Sequence, residues 1–178
     1  MSIFISTLTE MDYEPSLEMI KEAFKDVPES EKNEAQLIKG LRMAPDYRYE
    51  LEVIAKTADD EIIGHAMCSE VTIQSKDESY VALALAPLSV TQVYQNKGIG
   101  KALVQALEER AYAQEYTTIV VVGYPEFYAQ MDYEVAAEHQ ITVPFEAPNE
   151  AVRVKFLWDS LEDPPHGEVQ YPEHFFNI

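Results

Sequence analysis

Apolar residues recur along this chain at two spacings, and the changes between them mark out its elements. Ile3 to Thr7 has the look of a short first strand. Pro15 to Phe24 places Leu17, Ile20, Ala23 and Phe24 at helical spacing, with Pro15 tolerated in a first turn. Glu31 to Leu41 predicts a second helix through Ala35, Leu37, Ile38 and Leu41, with Gly40 and Pro45 flanking its end. The period then drops to two. Tyr49, Leu51, Val53 and Ala55 alternate with Glu50, Glu52, Ile54 and Lys56, as in a strand with one buried face. Thr57 to Glu61 predicts a polar hairpin turn, Ile62 to Ile73 a longer strand and Gln74 to Ser79 another turn. Tyr80 to Val90 is almost continuously apolar, which predicts a central strand covered on both faces. Pro87 inside it cannot donate to a ladder, so it predicts an edge or a bulge.

A glycine turn and a long helix follow, Ile99 to about Gln114, with Ile99, Leu103, Ala106, Leu107 and Arg110 on one face. Thr117 to Val122 is a β-branched buried strand, and Pro125 to about Met131 a short helix. Ile141 to Val143 and Ala151 to Trp158 are strands, and the rest is a Pro-rich tail. The element order is β-α-α-β-β-β-α-β-α-β. Consecutive strands joined by short turns pair antiparallel, and strand–long helix–strand makes one parallel crossover. The expected class is α/β of the α+β kind: a mixed, mainly antiparallel central sheet with helices on both faces.

Length and charge narrow the possibilities. At 178 residues a single domain spanning 1–178 is expected, with enough chain to bury a full core. Thirteen Lys and Arg stand against 32 Asp and Glu, for a net charge of −19. That balance disfavours nucleic acid and anionic membranes, because no basic cluster offsets it. The single cysteine, Cys68, has no intramolecular disulfide partner and fits a reducing compartment. The N-terminal segment shows neither a basic region nor a long apolar stretch, and the longest apolar run, Val81 to Leu88, is too short to span a bilayer. A cytoplasmic location is expected.

The most informative stretch is Gln95-Asn96-Lys97-Gly98-Ile99-Gly100-Lys101, between the apolar strand and the long helix. Glycines there permit close backbone approach, and a helix start leaves amide groups without partners. Those amides and the helix dipole suit an anion such as a phosphate, and Lys97 and Lys101 add positive charge. Two readings stand: a tight strand-to-helix turn, or a phosphate cradle. The spacing is neither the dinucleotide fingerprint, since Leu103 occupies the third glycine's place, nor a P-loop.

Gln95-x-x-Gly98-x-Gly100 resembles the Q/R-x-x-G-x-G/A acetyl-CoA signature of the GCN5-related N-acetyltransferases. Leu85 to Val90 looks like that family's central strand, and Gly123-Tyr124-Pro125-Glu126-Phe127-Tyr128-Ala129-Gln130-Met131-Asp132-Tyr133 like its closing stretch, where a tyrosine comes five residues before an aromatic. Ile63-Gly64-His65 and Gly167-Glu168-Val169-Gln170-Tyr171-Pro172 are similar to a bacterial subgroup of predicted acetyltransferases. The resemblance implies the acyl-CoA N-acyltransferase fold, with acetyl-CoA as co-substrate and a primary amine as acceptor. It implies that the pyrophosphate lies on the amides of Gln95, Asn96, Lys97, Gly98, Ile99 and Gly100, beside Lys101, with pantetheine along Leu88, Ser89 and Val90. It makes Tyr128 the acid that protonates the leaving thiolate; from composition alone, Tyr128 is one of 11 tyrosines and a packing residue. Asp132 stands where the family has glycine, and Asp tolerates left-handed geometry, so the turn is expected to survive. Tyr124 stands where the subgroup often has an acidic residue.

Other chemistry is thinner. Glu50, Glu52 and Glu70 fall on predicted strands and are the carboxylates available as a base. Such residues are mostly solvated at the surface, and a water relay needs none of them. The four histidines show no metal-ligand spacing, so no metal is expected. Cys68 is expected buried and inert. The acidic surface favours a cationic acceptor, and an oligomer stays open. A non-catalytic acyl-CoA sensor and a transferase of longer acyl chains are the alternatives to an acetyltransferase.

Overall fold

The computed structural model describes residues 2–28, 30 and 32–176. Its contacts cluster into two compact units. The first comprises 1–68, 86–110 and 174–178; the second comprises 69–85 and 111–173.

In the first unit β1 (Ile3–Thr7) pairs antiparallel with β2 (Glu52–Thr57), and β2 with the start of β3 (Ile62–Gln74). Helix α1 (Tyr13–Phe24) starts two residues ahead of expectation, where Asp12 accepts from the Thr9 amide and caps the preceding turn. Helix α2 runs Glu34–Met43; its predicted start, Glu31, lies outside the described residues. Leu17 and Ile20 of α1 and Leu37, Ile38 and Leu41 of α2 pack with Met67 of β3. Helix α3 (Ile99–Ala113) buries Ile99, Leu103 and Leu107, and Leu103 closes on Gly64. Met67 and Gly64 project from opposite faces of a strand, so this unit carries helices on both faces of its sheet.

The second unit holds residues 69–74 of β3, residues 79–85 of β4 (Ser79–Val90), and the chain from residue 111 through β5 (Thr118–Val122) to residue 173. The β4–α3–β5 crossover is parallel as expected, with Leu83 beside Ile119 and Ala84 beside Val120. Strand β8 (Val152–Phe156) pairs antiparallel with β5 and with the short β6 (Glu134–Val135). The tail is not purely irregular: Gly167–Gln170 forms β9, antiparallel to Thr72–Gln74 and parallel to β7 (Ile141–Thr142). Val169 is the buried residue of that strand, and the Val71, Ile73, Ala84, Val120 and Val154 side chains share its core. The sheet is thus mixed and mainly antiparallel, in an α+β fold.

One expectation fails at β2. Tyr49–Leu51 is a 3-10 turn ahead of the strand, and β2 is buried on both faces, with Glu52 and Ile54 fully covered. Cys68 is buried as expected, and burial pushes its thiol pKa up. No helix among the described residues is long and apolar enough to cross a membrane.

Candidate active site

The segment from Leu88 to Lys101 falls wholly in the first unit. The Thr91 amide donates to the Ile63 carbonyl at 2.8 Å, ending the strand. Gln92–Tyr94 makes one 3-10 turn, and the Gln95 side-chain amide donates back to the Val90 carbonyl at 2.9 Å. Gln95 therefore ties the loop to the end of β4. Two residues then turn left-handed, Asn96 at φ +63° and Gly98 at φ +84°. A Cβ on Gly98 meets nothing within 4 Å, so the backbone angle, not crowding within the chain, calls for glycine.

Buried Ile99 anchors the start of α3. The first helical bond runs from the Ala102 amide to the Gly98 carbonyl at 3.1 Å. The Ile99, Gly100 and Lys101 amides precede it and have no acceptor within the helix. Lys97 and Lys101 are exposed beside them, outside the ion pairs formed among the described residues. Ser89 of β4 is buried, while Leu88 and Val90 are half-buried. Amides from a helix of 15 residues stand here beside two lysines, in a chain of net charge −19, an arrangement whose chemistry suits an anion.

Tyr128 lies in the second unit, on α4 (Pro125–Ala129). Pro125 opens that helix, and Asp132 takes the left-handed angle expected of it, φ +68°. The Tyr128 ring is buried, edge-on to Phe127 at 4.9 Å and to Tyr133 at 5.5 Å between centroids. Its carbonyl accepts from the Met131 and Tyr133 amides at 3.0 and 3.1 Å, which fixes the backbone beneath the ring. Tyr124, at the start of the same helix, is 71% exposed.

The three carboxylates separate. Glu50 sits in the turn before β2, not on a strand. Glu70 accepts a hydrogen bond from the Tyr116 hydroxyl at 2.8 Å. Glu52 is not a surface group at all. It accepts from Arg42 Nη2 at 2.7 Å, Tyr47 hydroxyl at 2.6 Å and His65 Nε2 at 2.7 Å. Arg42 also donates to Ser16 Oγ at 3.0 Å and stacks over the Tyr13 ring. Burial pushes the Glu52 carboxyl up, but the hydrogen bonds from His65 and Arg42 outweigh it and hold the pKa at about 2. Burial and this carboxylate together raise the Tyr47 phenol. A carboxylate so committed is a structural anion, not a proton acceptor for substrate. Arg42, Tyr47 and His65 carried no role in the sequence pattern. The available signal was Ile54: an apolar residue on the supposed polar face of β2 means that face is buried, and a buried Glu52 needs a cation. Among the described residues no three His, Cys, Asp or Glu side chains are grouped to hold a metal ion.

Comparison with known proteins agrees with this architecture. Residues 5–136 match the family model described as the acetyltransferase (GNAT) domain, and the chain belongs to that family. The uncharacterized N-acetyltransferase YhbS of Escherichia coli strain K12 is 30% identical over 142 residues, covering 80% of this chain and 83% of the relative. The crystal structure of Escherichia coli YhbS in complex with CoA superimposes with a TM-score of 0.84 at 25% identity, covering 97% of this chain and 91% of that one. A GNAT family acetyltransferase from Brucella melitensis, solved with acetyl-CoA, shares the fold at TM-score 0.77 and 20% identity over 98% of both chains.

Proposed function

We propose that this chain transfers the acetyl group of acetyl-CoA to a primary amine by direct attack in a ternary complex, with residues 1–178 acting as one catalytic domain. The observation that carries the reading is the β4–α3 turn. Its left-handed Gly98, its outward amides at Ile99 to Lys101 and its two lysines suit a pyrophosphate, in a family whose relative YhbS was crystallised with CoA. Pantetheine pairs beside Leu88, Ser89 and Val90, where β4 continues six residues past Ala84. As the amine nitrogen bonds to the thioester carbon, the carbon–sulfur bond breaks. The amine's proton leaves to water, and Tyr128, assigned from its place in Gly123-x-Pro125-x-x-Tyr128, donates a proton to the departing sulfur and regains one from solvent water. The net charge of −19 steers a cationic acceptor toward the protein.

The test is thiol release from acetyl-CoA against a panel of neutral and cationic primary amines, beside calorimetry with CoA. Turnover with a cationic amine is expected. Binding without turnover makes the chain a sensor, and turnover only with longer acyl-CoA changes the donor.

Two variants probe the turn. Gly100→Val sets a branched side chain among the outward amides and is expected to weaken CoA binding more than tenfold, about 1.4 kcal/mol. Equal affinity in the folded variant removes the phosphate assignment. Lys97→Ala and Lys101→Ala are each expected to weaken CoA binding modestly, with losses that shrink as salt screens exposed charge. Salt-independent losses assign the lysines a structural part.

A further inference from the structure

We propose that Gly123 is a positioning residue: its missing side chain is the space into which the edge of the Tyr128 ring is seated. This rests on Tyr128 serving as the acid, and it concerns how that hydroxyl is aimed. Gly123 has no left-handed φ, so its backbone angle admits any residue. What excludes a side chain is the ring. A Cβ on Gly123 lies 2.8 Å from Tyr128 Cε2, 3.6 Å from Cδ2 and 3.8 Å from Cζ, the carbon that bears the hydroxyl.

The backbone on neither side is free to yield. The Gly123 amide donates to the Ala151 carbonyl at 3.0 Å, which holds the residue in place at the end of β5. The ring is edge-packed by Phe127 and Tyr133, with interplanar angles of 85° and 68°. Met131 and Tyr133 bond the Tyr128 carbonyl, so the backbone does not carry the ring away as a unit. Edge packing by Phe127 and Tyr133 opposes rotation of the ring in place about Cβ–Cγ, so an added methyl at position 123 swings the whole ring about Cα–Cβ. That moves the hydroxyl most, because it is the atom farthest from the backbone. Displacements of about 1 Å at a reacting group are enough to cost on the order of a hundredfold in rate.

The test combines Gly123→Ala with Tyr128→Phe in a double-mutant cycle, using the best amine from the panel, and a fluorine NMR measurement on protein labelled with 3-fluorotyrosine. The Tyr128 resonance is assigned by its loss in Tyr128→Phe. Gly123→Ala is expected to shift that resonance and to lower kcat at least tenfold, with KM for acetyl-CoA within a few-fold. In the Tyr128→Phe background the same change is expected to lower kcat less than threefold, because the hydroxyl it misplaces is already gone. A merely structural glycine gives full multiplication of the two effects, and that result overturns the proposal. An unmoved resonance overturns it too, whatever the kinetics. If the resonance shifts but Tyr128→Phe is as active as wild type, the seating of the ring stands and the acid assignment falls.

Discussion

Replacing Tyr128 with Phe is expected to cut turnover at least a hundredfold while acetyl-CoA affinity holds within a few-fold. The substitution removes one oxygen and keeps the ring whose edges meet Phe127 and Tyr133, so the packing around α4 is retained. A phenol with an ordinary pKa near 10 is protonated at neutral pH and donates as charge gathers on sulfur. Loss of such an acid costs roughly 10²–10⁴ in rate. The hydroxyl acts mainly as the carbon–sulfur bond breaks, so the loss belongs in kcat and not in binding. It is expected to be smaller for a donor whose thiolate is a better leaving group. Near-wild-type turnover across the pH range makes Tyr128 a packing residue. A parallel fall in affinity and rate assigns it to holding the donor.

The largest stability effect is expected at Glu52. Glu52→Gln leaves the Arg42 guanidinium buried without its anion, and breaking a buried ion pair from one side costs about 3–5 kcal/mol. A urea unfolding curve reads it. The double variant Arg42→Met, Glu52→Leu is expected to recover the part of that loss due to the unpaired guanidinium, while Tyr47 and His65 still lose their acceptor. The wild-type protein carries the matching acid sensitivity. The Glu52 carboxyl is held at about 2 against an ordinary value of 4.5. A depressed carboxylate contributes fully above pH 4.5, and its contribution fades as pH falls toward 2. The difference, at roughly 1.4 kcal/mol per pH unit, is about 3 kcal/mol. Unfolding free energy in wild type is therefore expected to drop across that window, with a flatter profile in the double variant, which lacks the Glu52 carboxylate. Equal profiles assign the acid sensitivity to other carboxylates.

The long elements were legible because their apolar periods are long. Helix α3 begins at Ile99 as its pattern predicts, and the β4–α3–β5 crossover follows from strand, long helix and strand in order. Strand β9 was not legible. Four residues after a Pro-Pro pair hold one buried valine, and only the partners Thr72–Gln74 and Ile141–Thr142 make them a strand. At the candidate site, the Gln95–Lys101 turn could be read because it is contiguous and its glycine has a backbone reason. The Arg42–Glu52–His65 cluster could not, since its members are separated by 10 and 13 positions and meet only through tertiary packing. The space at Gly123 is likewise defined by a ring five residues on, which no periodicity announces.

The sheltered thiol of Cys68 also decides how the chain can be assayed. It is the sole cysteine in the sequence, buried, with burial holding the thiol in its unreactive protonated form. A disulfide dye added to the native protein therefore reports CoA set free by the reaction, with no background from the polypeptide. Added under denaturant, the same dye titrates one equivalent per chain and times the opening of β3. One reagent thus serves as a counter of catalytic cycles in the folded state and as a clock for its loss.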